Sequence, residues 1–253
     1  MRGFARFVGK EATEVVRTWR IWVLPGVLLF FAISGPILAE LTPQLVRSLG
    51  GGQQGIVITM PEPTYLDAYA QWVKNLGQIG IFLLIGVSAG VVAGERSSGT
   101  AALVLTKPVS RGGFVVAKYL MSAALLVVAT VVGTLVTWGV TGAVFGTAPP
   151  GLLFSATGVW LAFALVLLAA MVLLSSALST LAAVGAGVGM FAVLGILNLW
   201  GPAVRYTPAG LVGAPGAVLA DTSPALAWPL ASAVVAVPAL VAAAVLVFRR
   251  VEL

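Results

Sequence analysis

The sequence predicts an all-α integral membrane protein with six transmembrane helices. Of its 253 residues, 60% are hydrophobic and only 9% are charged, whereas a soluble domain carries about 25% charged residues. Six stretches are apolar for the roughly 20 residues that a helix needs to cross the hydrocarbon core of a bilayer. Basic residues concentrate on one side of the membrane that these stretches define, as they do in multi-pass proteins.

The predicted spans are separated by segments rich in proline, glycine and polar residues. Their approximate bounds are 21–41, 76–94, 115–143, 152–175, 180–200 and 226–248. The third stretch is too long for a vertical span, and Lys118 indicates that its first turns project beyond the bilayer. The segment before the first span runs to Arg20 and contains Glu11 and Glu14. It is too long and too mixed in charge for a signal peptide, so we expect an uncleaved first helix.

Positive charge predicts the orientation of these spans. With both termini in the cytoplasm, only Arg47, Lys74 and Arg205 of the 14 Lys and Arg residues lie outside. The net charge of +6 follows from this bias. We therefore expect contacts with anionic lipid and none with nucleic acid.

Residues 1–20 predict an amphipathic helix in the cytoplasmic membrane interface. Phe4, Phe7 and Val15 recur at helical spacing, and the basic side chains fall largely on the opposite face. A solvated N-terminal arm is the alternative.

Two long segments are predicted to be extracytoplasmic loops, 42–75 and 201–225. In the first, a short helix can begin at Thr64, and its aromatic side chains suit the outer membrane interface. These aromatic residues are Tyr65, Tyr69 and Trp72.

The composition excludes several kinds of chemistry. The chain has no Cys and no His, which removes thiol nucleophiles, disulfides, the commonest general base and the commonest transition-metal ligand. No phosphate-binding loop of the G-x-x-x-x-G-K-[ST] type occurs, and no ionisable group lies in the middle of a predicted span. We therefore expect no enzymatic activity, no cofactor and no metal in this chain, and an external energy source for any transport.

Small residues recur at helix-packing spacing on two spans. Gly86, Gly90 and Gly94 repeat on the second span, and Gly185 and Gly189 repeat on the fifth. Such faces let helices approach closely. Packing within the subunit is one interpretation, and a dimer interface or the wall of a substrate path is the other.

A cytoplasmic segment, 95–113, joins the second and third spans. Ser97 or Ser98 can cap a short helix over Gly99–Thr106, which is about 12 Å long at 1.5 Å per residue. Pro108 ends this helix, and Ser110 can cap the next one. A two-turn apolar helix is unstable alone in water, so we expect a lipid surface, the protein's own bundle or a partner protein to cover it.

The stretch "GERSSGTAALVLTKPVSRGGFVVAKYL" at 94–120 resembles the E-R-x-x-G-T and P-V-S-R signature of ABC-2 type permeases. It is most similar to the small permeases labelled as involved in multi-copper enzyme maturation. The stretches "PTYLDAYAQWVKNLGQIG", "RYTPAGL" and "VFRRVEL" also look like this group, so that the resemblance covers most of the chain.

The resemblance implies a half-transporter whose coupling helix, Gly99–Thr106, docks in a groove of a separate ATP-binding subunit. Two ATPase subunits would serve a dimer of this permease or a pair with a sister permease. The turn Ser175–Thr180 would make a second contact, and 201–225 would form a broken helical hairpin. The residues that the resemblance assigns to coupling are Glu95, Arg96, Gly99, Thr100, Leu103, Thr106, Lys107, Pro108, Val109, Ser110 and Arg111.

The expected function is that of the permease subunit of an ATP-driven exporter in the plasma (inner) membrane of a prokaryote. A non-transporting scaffold or immunity subunit that anchors a cytosolic partner is the alternative. An ion-coupled carrier is disfavoured by the uncharged span centres. The substrate stays open, and the scattered methionines show no copper-ligand cluster.

Overall fold

The computed structural model describes residues 20–50, 61–100, 110–222 and 224–250. All regular structure in these ranges is helical, as predicted. The α-helices are α1 (Arg20–Gly50), α2 (Tyr65–Asn75), α3 (Ile81–Ser97), α4 (Arg111–Phe145), α5 (Pro150–Ala177), α6 (Thr180–Leu197), α7 (Gly201–Tyr206), α8 (Ala214–Leu219) and α9 (Ala227–Arg250). The predicted interfacial helix lies outside the described residues, apart from Arg20.

The prediction of six spans is confirmed by helices that are long and apolar enough to cross a membrane. Five of them are α1, α4, α5, α6 and α9, and the sixth is formed jointly by α2 and α3. A π-helical turn, Leu76–Gly80, joins α2 to α3 and makes one continuous helical segment from Tyr65 to Ser97.

The segment predicted as an external loop over 42–75 contains more helix than expected. Helix α1 continues to Gly50, and α2 begins at Tyr65, next to its capping residue Thr64. A helix start at Thr64 was predicted correctly. The expectation that the aromatic side chains face the membrane interface was wrong for two of the three, whereas Tyr65 is half-buried. Tyr69 and Trp72 are fully buried within the protein.

These two aromatic side chains attach α2 to the N-terminal half of α5 and to the residue before it. The Tyr69 hydroxyl donates a hydrogen bond of 3.1 Å to the carbonyl oxygen of Pro149. The Trp72 indole N–H donates to the Thr157 hydroxyl across 3.3 Å. Burial of an indole or a phenol is favourable when its polar atom finds such a partner, so neither ring needs the wet membrane interface.

Helix α5 lies at the centre of the bundle and packs against α3, α4, α8 and α9. Of its most apolar 18 residues, 67% are buried inside the protein, compared with 11% for α6 and for α9. Both α6 and α9 therefore offer most of their apolar surface to the surroundings, which we expect to be lipid.

Residues 201–222 form a broken helical hairpin between α6 and α9. Helix α7 turns through a 3-10 segment, Pro208–Leu211, into α8, and α8 packs against α5 and α2. Because α2 and the start of α5 lie at the same end, the hairpin sits at the end of the bundle opposite Arg96. We call the end of the bundle with the hairpin the outer end and the end with Arg96 the inner end, because the bias of positive charge places Arg96 on the cytoplasmic side.

Candidate functional site

The candidate site lies at the inner end of the bundle, where α3 ends and α4 begins. The two flanks of the predicted coupling helix meet there, and they carry Glu95, Arg96, Gly99 and Thr100 on one side and Ser110 and Arg111 on the other. The other predicted coupling residues lie outside the described residues. They are Leu103, Thr106, Lys107, Pro108 and Val109.

Gly99 ends the second span in a left-handed backbone conformation, with φ of 72°. The backbone N–H of Ser98 donates to Gly94 O at 3.1 Å, and that of Gly99 donates to Arg96 O at 3.2 Å. Glycine adopts this conformation without the steric cost that a Cβ imposes. The left-handed turn that leads the chain out of α3 therefore explains why this position of the signature is a glycine.

The two serines that were predicted to cap the short helix are both hydrogen-bonded to the last turn of α3, and the cap stays a prediction. Ser97 is still part of α3, and its hydroxyl donates to Gly94 O at 3.0 Å. The Ser98 hydroxyl lies 2.9 Å from the Thr100 hydroxyl. Since Gly99 is in the left-handed region, the first described helical residue after the turn is Thr100 and not Gly99.

Glu95 and Lys118 form a buried ion pair that joins the two flanks. The Lys118 ammonium donates to Oε1 of Glu95, and the side chains are 5% and 12% exposed for Lys118 and Glu95, respectively. Lys118 also lies 5.6 Å from the centre of the Phe114 ring. Lys118 is thus buried within the protein, where a carboxylate on the neighbouring helix compensates its charge. That the first turns of α4 project beyond the bilayer stays a prediction.

Arg96 connects α3 to the turn between α5 and α6. Its guanidinium donates two hydrogen bonds of 2.9 Å, one to Ser176 O and one to Leu178 O. The last carbonyls of an α-helix have no partner within the helix, and an arginine near the C-terminus can satisfy them. Arg96 thus caps α5, and sequence reasoning assigned it only to contact with a partner.

Ser175 strengthens the same contact from the side of α5. Its hydroxyl donates to Ala89 O at 2.7 Å and accepts from the backbone N–H groups of Val92 and Ala93 at 3.0 Å each. This hydroxyl is fully buried against the backbone of α3. The inner turn that was predicted as a second coupling contact is therefore bonded directly to the helix that leads into the first.

The second flank is attached to the last span. Ser110 caps α4 as predicted, accepting from Gly113 N–H at 3.0 Å. Arg111 donates to Arg249 O at 3.0 Å, near the C-terminus of α9. One turn further along α4, the Phe114 ring stacks on Phe248 at a centroid distance of 5.3 Å.

The five small residues predicted at helix contacts do not mark the tightest contacts within the subunit. A Cβ placed on Gly86, Gly94, Gly185 or Gly189 would meet no atom within 4 Å beyond its own stretch of helix backbone, and Gly90 is half-buried. The interpretation as a dimer interface or path wall stays a prediction for them. Within the subunit, the close approaches occur instead at single glycines such as Gly133, whose Cβ would lie 2.7 Å from Cη2 of Trp72.

Four side chains at the inner end join the ends of α3, α4, α5 and α9 to one another. We call Glu95, Arg96, Arg111 and Lys118 the inner anchor. Over the part of the chain that the structure describes, no group of three or more acidic side chains comes together to hold a metal ion. The observed chemistry of the site is thus hydrogen bonding and ion pairing.

Comparison with known proteins yields two matches. The model of a family described as "ABC-2 family transporter protein" matches residues 6–212. The "uncharacterized transmembrane protein YxlG" of Bacillus subtilis (strain 168) is 23% identical over 121 residues, which are 48% of this chain and 47% of that protein. The match thus spans about half the length of this curated relative. Neither match concerns the permeases of multi-copper enzyme maturation, and that finer resemblance stays a prediction.

Proposed function

Because the chain belongs to the ABC-2 family of transporter proteins, we propose that it is the permease subunit of an ATP-driven exporter. The family and the six apolar helices support a membrane permease. The proposal adds the outward direction, ATP as the energy source and the plasma membrane of a prokaryote. It also adds two ATPase subunits that serve two permease copies or one copy and a sister permease.

The double hydrogen bond from Arg96 to the end of α5 is the observation that carries the proposal. Hydrogen bonds from a guanidinium are roughly twice as strong as neutral ones, and an arginine fork fixes orientation as well as distance. A force applied to the connection between α3 and α4 therefore reaches α5 through one side chain, which its two hydrogen bonds hold in a fixed orientation.

The rest of the inner anchor distributes this force. The Glu95–Lys118 pair couples the two flanks of the connection, and Arg111 couples the second flank to α9. In the proposed cycle, binding of ATP draws two ATPase subunits together, and each pushes on residues 101–109 of its permease. The inner ends of α3, α4, α5 and α9 then move as one body, and a path between two permease copies opens.

A non-transporting scaffold needs an exposed docking segment but no rigid link from that segment to four helices. Removing each ion of a buried pair from water costs several kcal/mol before the partner ion compensates it. A passive scaffold does not need such a pair to hold a partner protein. An ion-coupled carrier needs a carboxylate near the centre of the membrane. Among the described residues, the buried carboxylate is Glu95, which lies at the inner end and is paired.

Co-expression with the ATPase that we expect to be encoded beside this gene tests the proposal. We expect the two proteins to copurify and the permease to change the rate of ATP hydrolysis in proteoliposomes. Lys107→Glu in the docking segment should abolish both effects, whereas Arg250→Glu, an exposed charge on the same side, should abolish neither. Stable copurification with an unchanged hydrolysis rate would favour the scaffold.

A further inference from the structure

A cavity of about 410 Å³ opens at the outer end of the bundle, between the end of α6, the hairpin helix α7 and the start of α9. Its walls are mostly apolar. The polar side chains among the lining residues are Arg205 and Asn198, and the apolar ones include Leu199, Val204 and Leu226. Pockets that bind small molecules share this composition, with few polar groups set in an apolar wall.

Two glycines allow the backbone around the cavity to pack closely. A Cβ on Gly210 would overlap the carbonyl oxygen of Val204, and a Cβ on Gly213 would lie 3.1 Å from Nδ2 of Asn198. The Thr207 hydroxyl holds the turn between these glycines and α7, since it donates to Ala203 O at 2.7 Å and accepts from Ala209 N–H at 3.3 Å. The backbone that carries Arg205 is thus held tightly against the rest of the hairpin.

The cavity carries a positive charge that no described carboxylate neutralises. Over the described ranges, the ion pair that forms within 4.0 Å is Glu95–Lys118 at the opposite end of the protein. The Arg205 guanidinium instead lies 5.4 Å from the ring centre of Tyr206. A guanidinium offers a fork of N–H donors that matches the oxygens of a phosphate, and the Asn198 amide can add a further donor.

Exposed aromatic rings around the cavity indicate its level in the membrane. Trp228 is 60% exposed and packs edge to face against Tyr206, which is 51% exposed, at a centroid distance of 6.2 Å. Trp200, at the end of α6, is 61% exposed. Tryptophan and tyrosine concentrate at the level of the lipid headgroups, so that the cavity opens where phosphate groups and the first acyl carbons meet.

We propose that this cavity binds one anionic phospholipid of the outer leaflet, with its phosphate on Arg205 and the start of its acyl chains on the apolar wall. The volume suits a headgroup with its glycerol, and the acyl chains remain in the bilayer. The site does not depend on transport or on an ATPase, so its failure leaves the proposed function standing.

Fluorescence quenching in nanodiscs tests the site on the purified full-length chain. The probe is phosphatidylglycerol brominated on its acyl chains, compared with phosphatidylcholine brominated in the same way. We expect an apparent affinity about tenfold higher for phosphatidylglycerol, which corresponds to about 1.4 kcal/mol. Both lipids carry a phosphate, but the choline cation offsets the phosphate charge of phosphatidylcholine and repels Arg205, whereas phosphatidylglycerol keeps a net negative charge. Trp228→Phe should remove most of the quenching that is specific to phosphatidylglycerol.

Variants distinguish binding at this site from a general electrostatic attraction between basic side chains and anionic lipid. Arg205→Ala should abolish the preference and Arg205→Lys should retain part of it. Lys74→Ala, which removes an exposed cation elsewhere on the outer end, should leave it unchanged. A preference that survives in Arg205→Ala, or equal quenching by both lipids, overturns the proposal. Full competition by millimolar glycerol 3-phosphate also overturns it, since the site would then recognise a soluble phosphate ester.

Discussion

Arg96 at the end of α3 donates a hydrogen bond of 2.9 Å to the carbonyl oxygen of Ser176 in the last turn of α5. A second bond of the same length reaches Leu178, two residues further along the chain. Residues 80 positions apart are therefore joined by one side chain at the base of the proposed docking segment. Lysine has a single ammonium and cannot reproduce this fork.

Arg96→Lys should lower the free energy of unfolding by about 1–2 kcal/mol, because hydrogen bonds to half-buried carbonyls are lost. Thermal unfolding in detergent micelles measures the change. Arg250→Lys is the matched control, since Arg250 is exposed at the same end, and it should have no effect. Equal unfolding temperatures for Arg96→Lys and the unmodified protein would show that the contact does not stabilise the inner end.

Substitutions of Glu95 and of Lys118 should change the free energy of unfolding in a strongly non-additive way. Glu95→Gln or Lys118→Met alone should destabilise the protein by about 3–5 kcal/mol, because each leaves a buried charge without its partner. The double variant should be close to the unmodified protein, because it buries no charge. A double-mutant cycle of unfolding free energies measures the coupling, and additive single effects would contradict a buried pair.

The left-handed conformation of Gly99 predicts an unusual order of substitutions. Gly99→Ala should cost about 1–2 kcal/mol, because a Cβ is strained at this φ, and Gly99→Asn should cost less, because asparagine tolerates the region. Gly94→Ala is the control, since no neighbour lies within 4 Å of its Cβ. Unfolding in detergent tests the order, and equal losses for Gly99→Ala and Gly99→Asn would argue against the turn.

Two glycines of α4 should respond in opposite ways to alanine. Gly133→Ala places a methyl group 2.7 Å from Trp72, whose ring is buried and hydrogen-bonded to Thr157, so we expect a loss of about 1–3 kcal/mol. Gly139→Ala has open space and should stabilise the helix by up to about 1 kcal/mol. Unfolding temperatures of the two variants measure the difference, and a stabilising Gly133→Ala would contradict the packing of α2 on α4.

The spans were predictable because the length of an apolar stretch is a local property of the sequence. The cap at Ser110 and the helix start at Thr64 were also predictable, because capping depends on the residue types in one short segment. The burial of Lys118 was not predictable, because its partner Glu95 lies on another helix, 23 residues away in the sequence. The burial of Tyr69 and Trp72 was not predicted, because aromatic residues suit both the membrane interface and a protein interior. The hydrogen-bond partners that favour the interior, Pro149 and Thr157, are distant in the sequence.

The absence of cysteine from the chain allows a direct test of whether the segment between α3 and α4 contacts an ATPase. Leu103→Cys places a unique thiol in the proposed docking helix, and Thr222→Cys places one on the exposed outer hairpin. A thiol-reactive cross-linker is then applied to membranes that contain the permease and the ATPase that we expect to be encoded beside it. We predict a permease–ATPase adduct from position 103 and none from position 222. An adduct from neither position, or from both equally, would contradict the assignment of this segment as the link to the energy source.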